Sequence, residues 1–310
     1  MTNTFAKQDE ALGTIASNAP ASGMQPVIYG QSDRPPRGDY SQARADYTCD
    51  QHYAAYTAQD HATYAQLYAR QSALLPGLAA QAFIDTLPRL GASSTIPRFE
   101  DINVQLLPAT GWQLVGVPGL IPEVPFFTLL SQRKFPVTTW IRTPQELDYI
   151  VEPDLFHDLF GHVPLLFDAS YANHIQAYGL GALKAHQLEH GPAQMHGAVE
   201  MLSRLYWYTI EFGLLREGSD LRAYGAGILS SGGELQHSIH STEPQHIALQ
   251  TEANLLQCMA STYKIDTYQQ QYFVIDSFEA LLRLTTPDFT PHYRQLGALK
   301  VPADAIAANL

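Results

Sequence analysis

The stretch EPDLFHDLFGHVPLL, residues 152–166, places two histidines five positions apart in an apolar segment. Its proline and acidic residues favour a helix start, because proline fits the first turn and negative charge is stabilised at that end of the helix dipole. On an ideal α-helix this spacing puts His162 about 140° round the axis from His157. Gly161 and Pro164 predict that the helix ends there, which would let His162 turn towards His157.

A second apolar stretch, YWYTIEFGLL, contains one acidic residue, Glu211. A buried, unpaired carboxylate costs several kcal/mol, so Glu211 should face a cation or a proton donor. The basic residues Arg204 and Arg216 lie more than one helical turn away along the chain. Two imidazoles and one carboxylate with open positions form the facial triad typical of non-haem Fe(II) oxygenases. His157, His162 and Glu211 are therefore a candidate metal site.

Other readings of these residues remain open. The two histidines could be hydrogen-bonded core residues, and a helical glutamate can extend to water. Two further histidine pairs share a helical face, His186 with His190 and His237 with His240, but both lie in polar segments. The same three ligands could also serve a zinc hydrolase, which activates a metal-bound water. A metal-binding or amino-acid-binding protein without catalysis is a further alternative.

The composition narrows the possible partners. The 310 residues carry 18 Lys plus Arg against 30 Asp plus Glu, a formal net charge of −12. That balance is unfavourable for binding nucleic acid or an anionic membrane surface. The two cysteines lie far apart, no apolar run approaches the ~20 residues of a membrane span, and no signal sequence is present. We therefore expect a soluble, cytoplasmic protein.

The chain divides into a polar beginning and one large domain. Residues 1–40 contain few large apolar side chains and are expected to form a disordered tail, whereas residues 41–310 should form the catalytic domain. Thr57 and Asp60 predict a capping box that starts a helix. Long helices are predicted near 169–190 and 193–216. Other segments indicate further elements: helices in PGLAAQAFIDTL, PRFEDINVQLL and SFEALLRL, the first two opened by their prolines, and strands in WQLVGV and FPVTTWI. The fold class predicted is mostly α with minor β.

Three segments in this order and spacing, EPDLFHDLFGHVPLL, YWYTIEFGLL and YGAGILSSGGELQH, resemble the aromatic amino acid hydroxylase family. The resemblance runs from about Tyr47 to Tyr293 and is strongest to bacterial single-domain phenylalanine 4-hydroxylases. It implies a catalytic domain of that family's type, which uses Fe(II), tetrahydrobiopterin or a related reduced pterin, and O₂. The reaction implied is hydroxylation of L-phenylalanine to L-tyrosine, the first step of phenylalanine catabolism.

The resemblance also implies roles for individual residues. The iron ligands would be His157, His162 and Glu211. The pterin would meet Phe126 by stacking, backbone groups of the GVPGLIPEVPFF loop, and two polar side chains; these residues are Gly119, Leu120, Ile121, Phe126, Asp158 and Tyr206. The substrate would be held by Arg142 with its partner Asp154 and by the rings of Trp207 and Phe212. Two residues beside the ligands are implied to be catalytic: Ser230 would orient an iron-ligand histidine by a hydrogen bond, and the Tyr206 phenol would reach the pterin or an iron-bound oxygen.

The substrate is the least determined part of this prediction. Tryptophan and tyrosine hydroxylases share the same iron and pterin apparatus, and attack at another ring position is a further alternative. A slot lined by Trp207, Phe212 and Ile265 would accept a bare ring more readily than a phenol that loses its hydrogen bond. Phenylalanine is therefore the expected substrate, and a monomer is the expected state.

Overall fold

A computed structural model describes residues 37–298 except 92, 149, 151, 266 and 287. Residues 1–36 of the predicted tail and the C-terminal residues 299–310 lie outside this part of the chain. Within the described residues, helices and strands follow in this order: α1 (Ala58–Leu74), α2 (Gln81–Thr86), α3 (Phe99–Thr110), β1 (Gln113–Val117), α4 (Glu123–Ser131), β2 (Lys134–Thr138), α5 (Ala169–His190), α6 (Ala198–Tyr206), β3 (Leu214–Glu217), β4 (Asp220–Ala223), α7 (Ala226–Leu229), α8 (Gly232–His240), β5 (Gln245–Ala248), α9 (Glu252–Ala260), β6 (Gln271–Ile275), α10 (Phe278–Thr285) and α11 (Thr290–Ala298). The predicted class, mostly α with minor β, is confirmed.

Several predicted elements are present. The hydroxyl of Thr57 accepts a hydrogen bond from the Asp60 amide, and the Asp60 carboxylate accepts one from the Thr57 amide, which confirms the capping box at the start of α1. Strand β1 falls within its predicted segment, β2 begins one residue before its own and ends inside it, and α5 has the predicted bounds. The last predicted helix is present as α10, and α11 follows it.

The predicted proline starts of α2 and α3 are wrong. Residues 76–78 form a turn, and the next residues stay extended, because the Ala80 amide donates to the Ala223 carbonyl and the Ala223 amide donates to the Leu78 carbonyl. The chain can turn into a helix only after these two bonds. At α3 the first helical amide, that of Phe99, is bound by the Gln51 side chain at 2.9 Å, which fixes the start beyond the proline.

The predicted helix over 193–216 is wrong at both ends. Helix α6 begins only after Gly197, whose φ of 80° is left-handed. After Tyr206 the helix continues as a π-helix, Trp207–Glu211, and the chain then enters β3, which pairs with β4 and β6. The sheet needs these residues extended, so tertiary pairing overrides the helical pattern. The Gly/Ser segment that follows forms α7 and α8, the latter capped by the Ser231 side chain.

The strands form two small sheets, of two and four strands. Strands β1 and β2 form a parallel pair, and the other sheet has the order β4-β3-β6-β5. Helix α4, which connects β1 to β2, packs on α5, where a Cβ atom on Gly179 would lie only 2.6 Å from the Ser131 amide nitrogen. The residues just before α4 form a loop, 118–122, which we name the cofactor loop. The segment GVPGLIPEVPFF, predicted to be a loop, is therefore a loop only in its first part, because α4 begins at Glu123.

Candidate active site

The two histidines of the opening motif lie on a π-helix, His157–His162. In a π-helix each residue bonds to the one five positions on, so residues at this spacing come together. Their Nε2 atoms are 3.3 Å apart. The helix ends at His162, between Gly161 and Pro164 as predicted, but the two histidines meet because the helix is a π-helix. A Cβ atom on Gly161 would lie 2.9 Å from the Ala226 side chain, so the glycine also lets α7 pack against the π-helix.

Glu211 completes this group from the second π-helix. Its Oε1 atom lies 3.2 Å from Nε2 of His162, and its Oε2 atom lies 3.5 Å from Nε2 of His157. The Glu211 side chain is buried. Burial alone would raise the pKa of its carboxyl, but the two imidazoles outweigh burial and hold that pKa below its ordinary value. The carboxylate is therefore ionised and points at both histidines.

A second carboxylate also lies near the histidines. One ligand atom each from His157, Asp158 and His162 can be chosen within 4.8 Å of one another. However, Oδ2 of Asp158 already accepts a hydrogen bond from the Thr138 amide at 2.7 Å. Burial raises the pKa of the Asp158 carboxyl, which disfavours its charged form. Glu211 approaches both Nε2 atoms and its pKa is lowered, so we favour it as the third candidate ligand, with Asp158 beside the candidate site.

The hydrogen bonds of Ser230 determine which nitrogen of His157 carries a proton. The Ser230 hydroxyl donates to the Ala226 carbonyl at 2.8 Å, so its oxygen is free to accept from Nδ1 of His157, also at 2.8 Å. When a cation displaces a second proton from Nε2, His157 keeps its proton on Nδ1 and its Nε2 offers a lone pair. That lone pair faces the Nε2 atom of His162 and a carboxylate, an arrangement that fits a divalent cation.

The three candidate metal ligands and Asp158 line a cleft that encloses about 470 Å³, including space open to solvent. All six residues predicted to meet the pterin line it. The wall consists of Val117, Gly119, Leu120, Ile121, Phe126, Phe135, Pro136, Thr138, Pro153, His157, Asp158, His162, Tyr206 and Glu211. The candidate metal ligands and the cofactor loop thus face one space.

Two aromatic side chains, Phe126 and Tyr206, form part of the cleft wall. Phe126, in the first turns of α4, is half-buried and meets the Tyr206 ring edge-on at a centroid distance of 6.1 Å. Tyr206 also packs against Tyr178 at 4.9 Å. Burial raises the pKa of Tyr206 well above its ordinary value, and the Glu211 charge adds to this effect, so the phenol stays protonated. Phe126 and Tyr206 both line the cleft, and Phe126 is only partly buried there.

Arg142 and Asp154 form a buried two-point ion pair. Nε of Arg142 donates to Oδ2 of Asp154 and Nη2 donates to Oδ1, both at 2.8 Å. Asp154 also accepts from the Arg142 amide at 2.9 Å and from the His157 amide at 3.0 Å. Burial would raise the pKa of Asp154, but these bonds and the guanidinium charge lower it. One carboxylate therefore fixes both the arginine and the start of the first π-helix.

The two predicted ring-slot residues, Trp207 at the start of the second π-helix and Phe212 just after its end, pack together. The Trp207 ring lies 4.5 Å from that of Phe212 and stacks on Tyr263 at 4.2 Å, while its Nε1 donates to Oε1 of Gln269 at 3.0 Å. Tyr263 and Gln269 were missed, because they lie in a polar segment with no sequence signal. Ile265, predicted to line the slot, is 43% exposed.

Not every predicted residue lines the cleft. Among the described residues, the predicted residues outside its wall are Arg142, Asp154, Trp207, Phe212 and Ser230. Trp207 and Phe212 adjoin wall residues in the chain, Asp154 and Ser230 each bond to His157, and Arg142 is linked to the wall through Asp154. The alternative histidine pairs belong to no group of three or more metal-binding side chains in the described chain. Within the same residues, no helix is long and apolar enough to cross a membrane.

Comparison with known proteins identifies the family. Residues 24–290 match the biopterin-dependent aromatic amino acid hydroxylase family. Phenylalanine-4-hydroxylase of Ralstonia nicotianae is 50% identical over 257 residues, which cover 83% of this chain and 78% of the relative. The Chromobacterium violaceum enzyme of that name is 47% identical over 271 residues, covering 85% of this chain and 87% of the relative.

The fold agrees with this relationship. A crystal structure of phenylalanine hydroxylase from Chromobacterium violaceum bound to cobalt superposes with a TM-score of 0.76 at 49% identity, covering 81% of this chain and 87% of that one. The resemblance predicted from the three motifs is confirmed. The chain belongs to the biopterin-dependent aromatic amino acid hydroxylase family.

Proposed function

We propose that this chain is a phenylalanine 4-hydroxylase, a monooxygenase that converts L-phenylalanine to L-tyrosine with O₂, Fe(II) and tetrahydrobiopterin or a related reduced pterin. One observation carries the proposal: the Nε2 atoms of His157 and His162 and the carboxylate of Glu211 meet at a cleft that also contains the cofactor loop. Relatives with this name at 50% and 47% identity support the choice of substrate. The reaction is the first step of phenylalanine catabolism.

His157, His162 and Glu211 would hold the iron. Two nitrogens and one carboxylate oxygen leave open positions, as Fe(II) oxygenases require. Bound iron and pterin together would supply the activation of O₂, which no protein side chain provides. Ser230 keeps the Nδ1 proton of His157 in place, so that Nε2 remains a ligand in a fixed orientation. The family relationship disfavours the zinc hydrolase alternative.

The pterin would lie between the cofactor loop and the metal. Phe126 offers a ring face, and offset stacking contributes about 0.5–1.5 kcal/mol beyond area burial. Backbone groups of Gly119, Leu120 and Ile121 would meet the edge of the heterocycle. Asp158, whose Oδ2 is held by a backbone amide, can use its other oxygen to accept from the cofactor or an intervening water.

Arg142 would bind the carboxylate of the amino acid. Asp154 occupies Nε and Nη2 of the guanidinium, so a substrate carboxylate would use Nη1 and the second hydrogen of Nη2. The polar atom of Trp207 is bound to Gln269, so Trp207 and Phe212 present apolar ring surfaces to the substrate. A bare phenyl ring suits such surfaces better than a phenol.

One reconstitution tests the reaction. The purified protein is loaded with one equivalent of Fe(II) without oxygen, given reduced pterin and phenylalanine, and exposed to air. We expect tyrosine, identified by mass and retention time, only when both iron and pterin are present. A different hydroxylated isomer, or turnover of tryptophan or tyrosine instead, would refute the substrate assignment. The expected monomeric state and cytoplasmic location remain predictions.

A further inference from the structure

The residues just before the folded core lie against the cofactor loop. We name residues 37–40 the N-terminal strap. Its glycine, Gly38, has a φ of +109°, and a Cβ atom there would lie 1.7 Å from the Pro118 carbonyl oxygen. On the other side, a Cβ atom on Gly119 would lie 2.5 Å from the Arg37 carbonyl oxygen. Strap and loop therefore touch backbone to backbone, a contact that only glycine at both positions allows.

A tyrosine of the strap holds the loop by its phenol. The Tyr40 hydroxyl donates to the Leu120 carbonyl at 2.7 Å. Both Gly119 and Leu120 line the cleft, so this bond fixes backbone that the pterin would meet. Burial raises the pKa of Tyr40, and the charge of Glu152 adds to it, so the hydroxyl remains a donor at physiological pH.

The strap also contacts the segment between β2 and the first π-helix. The Arg37 amide donates to Oε2 of Glu152 at 3.1 Å, and its guanidinium pairs with Glu146 at 2.7 Å. The guanidinium carbon lies 4.1 Å from the centre of the Trp140 ring. Glu152 precedes Pro153, a residue of the cleft wall. Through these contacts the strap ties the cofactor loop to the segment that carries Arg142.

We propose that Tyr40 is a positioning residue for the cofactor: its bond to the Leu120 carbonyl holds the cofactor loop in the shape that binds a reduced pterin. The proposal rests on the proposed function, because it assumes that the pterin occupies this cleft. Without the bond the loop would have to be ordered by the ligand itself, which weakens binding. Iron ligation and phenylalanine binding do not involve this carbonyl and should not change.

The test compares Tyr40→Phe with a matched control. The control is Tyr53→Phe. In the unaltered protein the Tyr53 hydroxyl donates to the Ile96 carbonyl at 2.8 Å, a bond of the same type between residues that do not line the cleft. Calorimetry without oxygen gives the dissociation constant of reduced pterin, and hydrogen exchange followed by mass spectrometry gives the opening of residues 118–122. We expect Tyr40→Phe to raise the pterin dissociation constant about two- to tenfold, the range that one hydrogen bond supports. Exchange in the loop should be faster.

The outcomes separate this proposal from the function on which it rests. If the unaltered protein binds no pterin, the proposed function fails. If it binds pterin but Tyr40→Phe binds equally well, only the role of Tyr40 is overturned. An equal loss in Tyr53→Phe, or an equal loss of phenylalanine affinity, would also overturn it by indicating a general structural effect. Gly38→Ala, which forces the strap away from Pro118, should weaken pterin binding in the same direction.

Discussion

Replacing Ser230 by alanine tests the assignment of protons in the metal site. The change removes the oxygen that lies 2.8 Å from Nδ1 of His157 and leaves that N–H without its acceptor. The imidazole then has no partner that selects the tautomer with a lone pair on Nε2, and its ring is freer to rotate. Loss of such an orienting bond weakens metal binding about 10- to 100-fold. That range corresponds to about 1.4–2.8 kcal/mol.

The assay is a competition titration of Fe(II) between the protein and a chelator of known affinity, without oxygen. Ser131→Ala is the control, since Ser131 Oγ donates to the Thr128 carbonyl at 2.8 Å and touches no candidate ligand. We expect the control to bind Fe(II) like the unaltered protein. Unchanged iron affinity in Ser230→Ala, with the fold intact by circular dichroism, would show that the bond does not set the tautomer of His157.

Three further predictions concern the ligand set, the substrate arginine and acid stability. Glu211→Ala should abolish stoichiometric iron binding, measured by elemental analysis, while circular dichroism stays unchanged; full iron occupancy would refute the ligand assignment. Arg142→Lys should raise the KM for phenylalanine much more than the KM for pterin, because lysine cannot keep the two-point bond to Asp154. Equal rises would show that Arg142 does not bind the substrate carboxylate. Burial opposes ionisation of Asp288, but its hydrogen bonds, the largest from Lys184, outweigh burial and lower the pKa from 3.8 to about 2. The stability that this pair adds is therefore complete above the ordinary carboxyl pKa and is lost as the pH falls towards about 2. The difference in free energy of unfolding by urea between the unaltered protein and Lys184→Met should shrink over that pH window. A constant difference would contradict the prediction.

The sequence selected the three candidate metal ligands but did not predict the geometry that brings them together. His157, His162 and Glu211 were selected because imidazoles and a lone carboxylate in apolar surroundings need a partner, and the structure brings them together. The predicted way in which the histidines meet, by a turn at the end of an α-helix, was wrong, because both segments are π-helices. Helical periodicity assumes 3.6 residues per turn, and nothing in that pattern signals the wider turns that both segments adopt.

Other features depend on tertiary contacts that a linear pattern does not contain. The start of α2 is set by hydrogen bonds between Ala80 and Ala223, residues far apart in the chain. The end of the helix before β3 is likewise set by pairing with β6. The Arg142 to Asp154 pair came from family resemblance alone. Tyr40 lay at the edge of a segment predicted to be disordered, so no sequence signal indicated its contact with the cofactor loop.

Because the candidate ligands lie on two π-helices, the number of residues in each segment matters as much as the identity of the ligands. An α-helix turns by about 100° per residue, so deleting one residue from either segment would rotate everything beyond it by about that angle. The same three side chains would still be present, yet they would no longer share a centre. A relative could therefore keep every ligand by residue type and still lose iron through a single-codon deletion. Alignments of this family should be read for spacing within these two turns as carefully as for the ligands themselves.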